Sequence, residues 1–493
     1  MMGARFAAEV LIVAGSLLLT ACGSFPVNPP LAHHDPEAGY RFDPAPDDPD
    51  PRDQMFVILV FSGGGTRAAA LSFGVLEALR DTPIHWQGRD QSLLDDVDVI
   101  SSISGGSFPA AYYALRGAET FKEFPDKFLY RPVQSDLIKR ALSPASWLKL
   151  AGSSYGRSDL AADYYDEKVF DGATYSQLIA AHRRPFVILN ATDLTTGVQF
   201  PFIQDQFDLL CSDLAGIKLA RAAAASSAFP GGLTPLTLKN YAGTCDYHQP
   251  RWVANALKDR TSRINPRRTA RADQRTAYAS TVTDPNTRQT HPARPYIHLT
   301  DGGVADNIGL REPLTALGSP SNDWSVQQRI NLKQVDKLVV IVVNAATNPE
   351  TKRDQTAKVP GLLDTISTVA SIPLDNYSFE TLELLRATVN DFNAQARLIS
   401  DCKALASVKG PQCELDIPTP HQIDFFAIEV AFEYIQSDKD RTWFKNLPTT
   451  FELPRETIDR LRAAGRQILD EDKEYQRLVK QLKPGSQAGN QDR

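Results

Sequence analysis

The sequence predicts an α/β fold with a mostly parallel central sheet and helices on both faces. Three observations carry that expectation. Met55–Phe61 and Val335–Asn344 are apolar, β-branched runs without polar alternation, as strands buried on both faces are. Val97–Ile103 begins as a third such run and then passes into small residues. Helical stretches such as Ala68–Arg80 separate the strand runs, which suits crossover connections better than hairpins. The 493 residues would allow up to about three domains at roughly 150 residues each. A hydrophobic fraction of 42% is ordinary for a globular chain, and a net charge of −6 argues against nucleic acid as a partner. No internal repeat is visible.

The chain opens with Arg5 and an apolar stretch, Val10–Leu19, too short for a comfortable membrane span and ending in small residues. Residues 1–21 therefore read as a secretory signal. Leu19-Thr20-Ala21-Cys22 resembles a bacterial lipobox, in which Cys22 becomes the lipid-bearing first residue of the mature chain. The other reading is an ordinary signal peptide with an incidental cysteine. A multiply acylated cysteine would anchor the chain to a membrane without spanning it. Gly23-Ser24 carry no acidic residue after the cysteine, which by analogy points to the outer membrane of a bacterial envelope, facing the periplasm. Residues 22–53 are rich in Pro, Asp and Ala without periodicity, and are expected to be a disordered tether. His33 and His34 lie there without further metal ligands. The globular domain is expected over 54–483, followed by a frayed tail at 484–493.

Three junctions carry chemistry. Met55–Phe61 runs into Ser62-Gly63-Gly64-Gly65-Thr66-Arg67. Consecutive glycines expose N–H groups and admit a substrate oxygen, as an oxyanion hole requires, though such a turn can also hold phosphate. No Walker lysine follows, and the G-x-G-x-x-G spacing is absent. Ser102-Ile103-Ser104-Gly105-Gly106 then leads from strand to an Ala-rich helix, which would lift the Ser104 hydroxyl out of the sheet at a helix N-terminus. A tight turn with a capping serine would read the same way. Last, Tyr296–Thr300 ends at Asp301-Gly302-Gly303, a carboxylate on a closely approachable corner or a plain Asx-turn.

These motifs in this order resemble the patatin-like phospholipase family. The resemblance runs from about Met55 to Leu314 and includes Pro185–Gly197 and the Ala-rich Leu219–Ala228. It implies a patatin-like three-layer fold and a serine–aspartate dyad, with Ser104 as nucleophile and Asp301 as base. Gly63, Gly64 and Gly65 would form the oxyanion hole. Arg67, Gly105, Gly106, Gly302 and Gly303 would support the elbow and the dyad, and the Ala-rich helix would pack behind them. No metal or cofactor enters this scheme. The implied substrate is a lipid ester, with phospholipid the leading candidate. A thioesterase, acyltransferase or neutral-lipid esterase would use the same pair, and a catalytically silent lipoprotein binding lipid or protein is the alternative of another class. Two positions depart from the family pattern: Ser102 replaces the first elbow glycine, and Ala68 follows the arginine where glycine is frequent.

Elsewhere, Thr120–Tyr165 is aromatic without clean periodicity and is expected to supply core helices, or else part of an acyl channel. Lys168–His182 reads as a helix and Pro185–Leu194 as a strand, with Asp193 a structural turn partner. An insertion at about 246–295 is basic: between Tyr247 and Pro295, nine arginines and Lys258 face only Asp259, Asp273 and Asp284. It is expected to be a flexible segment that meets either solvent, a protein partner or anionic headgroups. Asn376–Leu405 and Arg455–Leu482 read as long helices, and His421–Ile435 as a strand. His421 is the only plausible triad histidine, since His298 lies on the opposite strand face from Asp301. In an exported chain the cysteines besides Cys22 could pair, and sequence proximity favours Cys211–Cys245 and Cys402–Cys413.

Overall fold

A computed structural model of the chain describes residues 25–42, 55–152, 154–262, 266–310, 335–347 and 422–483, and most of a helix within 383–403. Residues 1–24 with Cys22, and likewise Arg263, Cys413, His421 and the tail 484–493, lie outside the described residues. One sheet holds β1 (Met55–Phe61), β2 (Val97–Ile103), β3 (Phe186–Asp193), β4 (Gln199–Pro201), β5 (Leu236–Lys239), β6 (Tyr296–Asp301), β7 (Lys337–Asn344) and β8 (Asp424–Ala431). Their order is β8-β7-β1-β2-β3-β6-β5, with β4 beside β3. From β8 to β3 every neighbour is parallel, and β6 runs antiparallel to both β3 and β5. The sheet is mostly parallel with helices around it, as the fold class requires.

Every residue of β1, β2 and β3 is buried, which is why these strands show no polar alternation. Helix Gly65–Arg80 covers the sheet beneath helix Arg455–Glu471. Gly74 and Gly465 permit that close crossing: a Cβ on Gly465 would stand 2.6 Å from the Leu71 carbonyl oxygen. The long carboxy-terminal helix is two helices. Asp472 turns extended, with ψ 129°, and its side chain accepts the Tyr475 N–H at 2.8 Å, starting a second helix at Lys473. Likewise, Lys168–His182 is broken in two, a π-helical turn over Asp166–Phe170 and an α-helix over Tyr175–Ala181, because Asp171 and Gly172 take left-handed conformations between them. Of the aromatic stretch, Phe124 and Phe128 are core residues and Phe128 stacks on Phe108 at 4.1 Å, whereas Trp147 and Leu148 are exposed.

The expected tether is in part an ordered strap. Residues 25–42 lie along the domain, beginning with Phe25 edge-on to Tyr296 and ending with Phe42 against Phe56 and Phe186. Asn28 acts as a side-chain rung on the edge strand β5, donating to Lys239 O at 2.9 Å and accepting from Lys239 N–H at 2.7 Å. Arg41 reaches Asp205 at 2.9 Å and Asp208 at 2.7 Å. Tyr40 inserts its hydroxyl between the Val187 N–H and C=O. The composition is that of a tether, but these few residues need only add to a core that the domain already has.

The basic insertion differs from the expected flexible segment too. It contains helices Arg251–Lys258 and Pro266–Ala279, which enclose a small core of Trp252, Val253, Ala256 and Ala272. Three of its arginines are used within the molecule: Arg268 and Arg275 lie over the Trp252 ring, and Arg294 pairs with Asp193 at 2.8 Å.

Candidate active site

β2 ends in a sharp turn at Ser104. Its φ of +49° is left-handed, a conformation that a non-glycine residue holds only where its surroundings impose it. The Ser104 N–H donates to Ser226 Oγ at 2.9 Å. Ser226 in turn donates to Asn190 O at 2.7 Å and meets the Ser107 hydroxyl at 2.9 Å. Helix Leu219–Ser226 thus stands behind the elbow, packed through alanines against β3. Gly105 and Gly106 leave no room for side chains. A Cβ on Gly105 would overlap Gly65 O, and one on Gly106 would lie 2.7 Å from Ser62 O. Ser102 remains within β2, buried, and its hydroxyl donates to Ile188 O at 3.2 Å. The elbow's left-handed turn therefore falls at Ser104, and position 102 has no need of glycine.

The glycine loop after β1 lies against the elbow. Gly64 and Gly65 have φ of +138° and +60°, and a Cβ on Gly65 would overlap the Thr450 carbonyl oxygen. Thr66 donates its N–H to that same carbonyl at 2.8 Å. Arg67, almost fully buried, fixes the loop from below by donating to Ala345 O, Leu447 O and Thr449 Oγ1. Three glycines do not mean three available donors. The Gly63 N–H is engaged by Asn307 O at 3.2 Å, so Gly63 shapes the turn. The Gly64 and Gly65 N–H groups, at a helix N-terminus, meet no acceptor among the described residues.

Asp301 closes β6. Its carboxylate accepts the Gly303 N–H at 2.8 Å and lies near enough to the Ser104 side chain for that group to lower its pKa. Its backbone is clamped as well: the N–H donates to Ala228 O at 3.1 Å and the carbonyl accepts from Thr192 Oγ1 at 2.8 Å. A Cβ on Gly302 would overlap Asn190 O, so the corner requires glycine there. Burial drives the Asp301 pKa up from 3.8 to about 6, against the opposing pull of the Gly303 N–H hydrogen bond and of the Ser104 side chain.

The other candidates separate cleanly. Asp193 is fully buried between Arg294 and the Tyr278 hydroxyl, a structural role. His298 points away from Asp301 and bonds Thr237 on the exposed face. Cys211 and Cys245 form a disulfide, and Cys402 is also disulfide-bonded. Among the described residues no group of three His, Cys, Asp or Glu side chains could hold a metal ion. Sequence reasoning missed Ser226, Asn190, Asn307 and Thr450. Each acts through long-range backbone contacts, and only the alanine-rich run around Ser226 gave a local signal.

The patatin-like phospholipase family model matches residues 59–314. No curated protein matches the chain in sequence. Among solved structures, human GIVD cytosolic phospholipase A2 is similar at 15% identity and a TM-score of 0.28, over 60% of this chain and 46% of its own. The chain thus spans less than half of the human enzyme's length. VipD from Legionella pneumophila is similar at 10% identity and a TM-score of 0.27, over 87% of this chain and 67% of its own. With the glycine loop, the serine elbow and the Asp-Gly-Gly corner all inside a match that covers more than half of its length, the chain belongs to the patatin-like phospholipase family.

Proposed function

We propose that the chain is a serine acylhydrolase of lipid esters that works through Ser104 and Asp301. The observation that carries this reading is the strained, buried Ser104 beside a buried aspartate whose pKa it influences, next to two N–H groups that meet no acceptor among the described residues. Ser104 Oγ attacks the ester carbonyl carbon as its proton passes to the Asp301 carboxylate. The carbonyl oxygen becomes an oxyanion facing the Gly64 and Gly65 N–H groups. Collapse expels the alkoxide, which takes the proton from Asp301, and leaves an acyl-enzyme. Water then attacks the acyl carbon, gives its proton to Asp301, and releases the fatty acid as Ser104 recovers that proton. A pKa near 6 leaves Asp301 ionised at neutral pH yet more basic than an ordinary carboxylate.

Phospholipid is the proposed substrate, from the family and from the motif set. Cys22 is proposed to be lipidated, which would hold the enzyme in the bacterial envelope at the periplasmic face of the outer membrane. A fluorophosphonate probe tests the reaction: it should label the parent and fail to label Ser104→Ala. Labelling that survives this substitution would overturn the assignment. Cys22→Ala should abolish incorporation of a palmitate analogue, and incorporation that persisted would sink the anchor.

A further inference from the structure

The strap has a direction relative to the sheet. In the register of β3 and β6, Asp301 stands opposite Ala191 and Leu299 opposite Asp193. Tyr296 therefore lies farther along in the direction in which β1, β2 and β3 run, beyond the end where Ser104 emerges. Phe25 packs on Tyr296, with ring centroids 6.2 Å apart. At its other end Phe42 packs on Phe186 and Phe56, which lie at the starts of β3 and β1. The strap thus runs from the catalytic end of the sheet to the opposite end, and the chain enters the strap at the catalytic end.

Only two residues lie between Cys22 and Phe25, so the three steps from one to the other reach about 10 Å. A membrane anchor at Cys22 is therefore held near the catalytic end of the sheet, because the strap is fixed by Asn28 on β5 and by Arg41 on two carboxylates. Exposed apolar side chains lie at the same end. Leu194 follows β3 directly, Val304 follows the Asp301 corner, and Tyr296 and Val27 flank the strap's start, at 54%, 41%, 51% and 56% exposure. Such residues favour the boundary between headgroups and acyl chains.

We propose that the 25–42 strap orients the molecule on a lipid bilayer, so that Ser104 opens onto the same membrane surface to which the chain's N-terminal end is attached. The inference rests on the proposed anchor at Cys22 and on a lipid-ester substrate. A flexible tether would let the active site sweep over any nearby surface, whereas this strap restricts it to its own leaflet.

The test uses the full chain carrying Ser104→Ala, so that no lipid is consumed, on vesicles of phosphatidylethanolamine and phosphatidylglycerol. A fluorescent amino acid is incorporated either at Leu194 or at Arg89, which is exposed on the hairpin leading to the start of β2. Lipids bearing a shallow spin-label quencher report proximity to the bilayer. Quenching several-fold stronger at 194 than at 89 is expected. Equal quenching, stronger quenching at 89, or failure to associate with the vesicles would overturn the proposal. Asn28→Ala with Arg41→Gln should reduce the contrast between the two sites. A folded double variant that kept the parental contrast would show that the strap does not orient the molecule, and if it fails to fold the parental comparison still decides. Because the readout needs no turnover, failure of the hydrolase reading would appear separately, as absent fluorophosphonate labelling of the parent.

Discussion

The two halves of the Ser104–Asp301 pair are held by opposite strategies. Ser104 sits at the end of a buried parallel strand in a left-handed conformation, imposed by Ser226 behind it and by glycines that let the neighbouring loop close in. Asp301 sits at the end of an antiparallel strand with ordinary backbone angles, and its cost lies in burial of charge. One residue stores backbone strain and the other stores desolvation. Strain of the first kind depends on shape, so it should respond to volume. Desolvation depends on charge, so it should respond to pH.

The largest effects should come from removing either reacting group. Ser104→Ala should lower kcat/KM for a soluble short-chain ester by about 10⁴-fold or more. Asp301→Asn should cost about 10²–10⁴-fold. Steady-state assays on purified variants with parental circular dichroism check both. His421 lies outside the described residues, and His421→Ala in the same assay keeps the dyad open to refutation. A loss matching that of Asp301→Asn would make the site a triad.

The next effect addresses shape. Gly65→Ala would place a methyl group into the Thr450 carbonyl and force an alanine to a φ of +60°. The loop must then shift and misalign the Gly64 and Gly65 donors, so kcat should fall about 10²–10³-fold, as when an oxyanion donor is lost. Probe labelling rates follow the same step. Labelling as fast as in the parent would remove these N–H groups from the mechanism.

Charge gives an effect with two signs. The folded chain keeps the Asp301 proton up to about pH 6, against 3.8 for the free side chain. Between those values the folded state binds a proton that the unfolded chain has released, so stability declines as pH rises through about 4 to 6 and stays lowered above it. Activity should move the other way, since the ionised form is the proposed base: kcat/KM should climb with pH through about 6. The rise from 3.8 to about 6 corresponds to about 3 kcal/mol. Asp301→Asn, freed of that penalty, should therefore gain up to about 2 kcal/mol over the parent at pH 8 in urea unfolding, after weakening the hydrogen bond from the Gly303 N–H. A variant equally or less stable at pH 8 would mean that the site does not desolvate its base.

What was legible in the sequence follows the same division. The elbow, the glycine loop and the Asp-Gly-Gly corner are contiguous segments in which turn chemistry and strand endings coincide, so local reasoning reaches them. The parallel sheet was legible because β1 and β7 are apolar on both faces. Asn307 and Thr450 were not, because each contributes a backbone carbonyl whose value depends on what folds against it. The strap was misread for a related reason. Its composition lacks a core of its own, but Tyr40 and Phe42 complete a core built elsewhere. The basic insertion conceals a small core in the same way, with Trp252 sheltered by Arg268 and Arg275.

The smallest effect concerns the departure from the family at Ser102. If the elbow needed glycine there, Ser102→Gly should raise activity. The structure argues otherwise: the residue pairs with Phe61 and Leu189 inside the sheet, and its hydroxyl is bonded to Ile188 O. Glycine in a strand interior loses more chain entropy on folding and forfeits that hydrogen bond, together about 1–2 kcal/mol of stability. Ser102→Gly should accordingly unfold at lower urea concentration while its probe-labelling rate stays within about twofold of the parent, an effect below roughly 0.4 kcal/mol on the barrier. A tenfold gain in labelling would show that Ser102 displaces the nucleophile. Strain at the elbow would then be shared between positions 102 and 104, instead of residing at Ser104 alone.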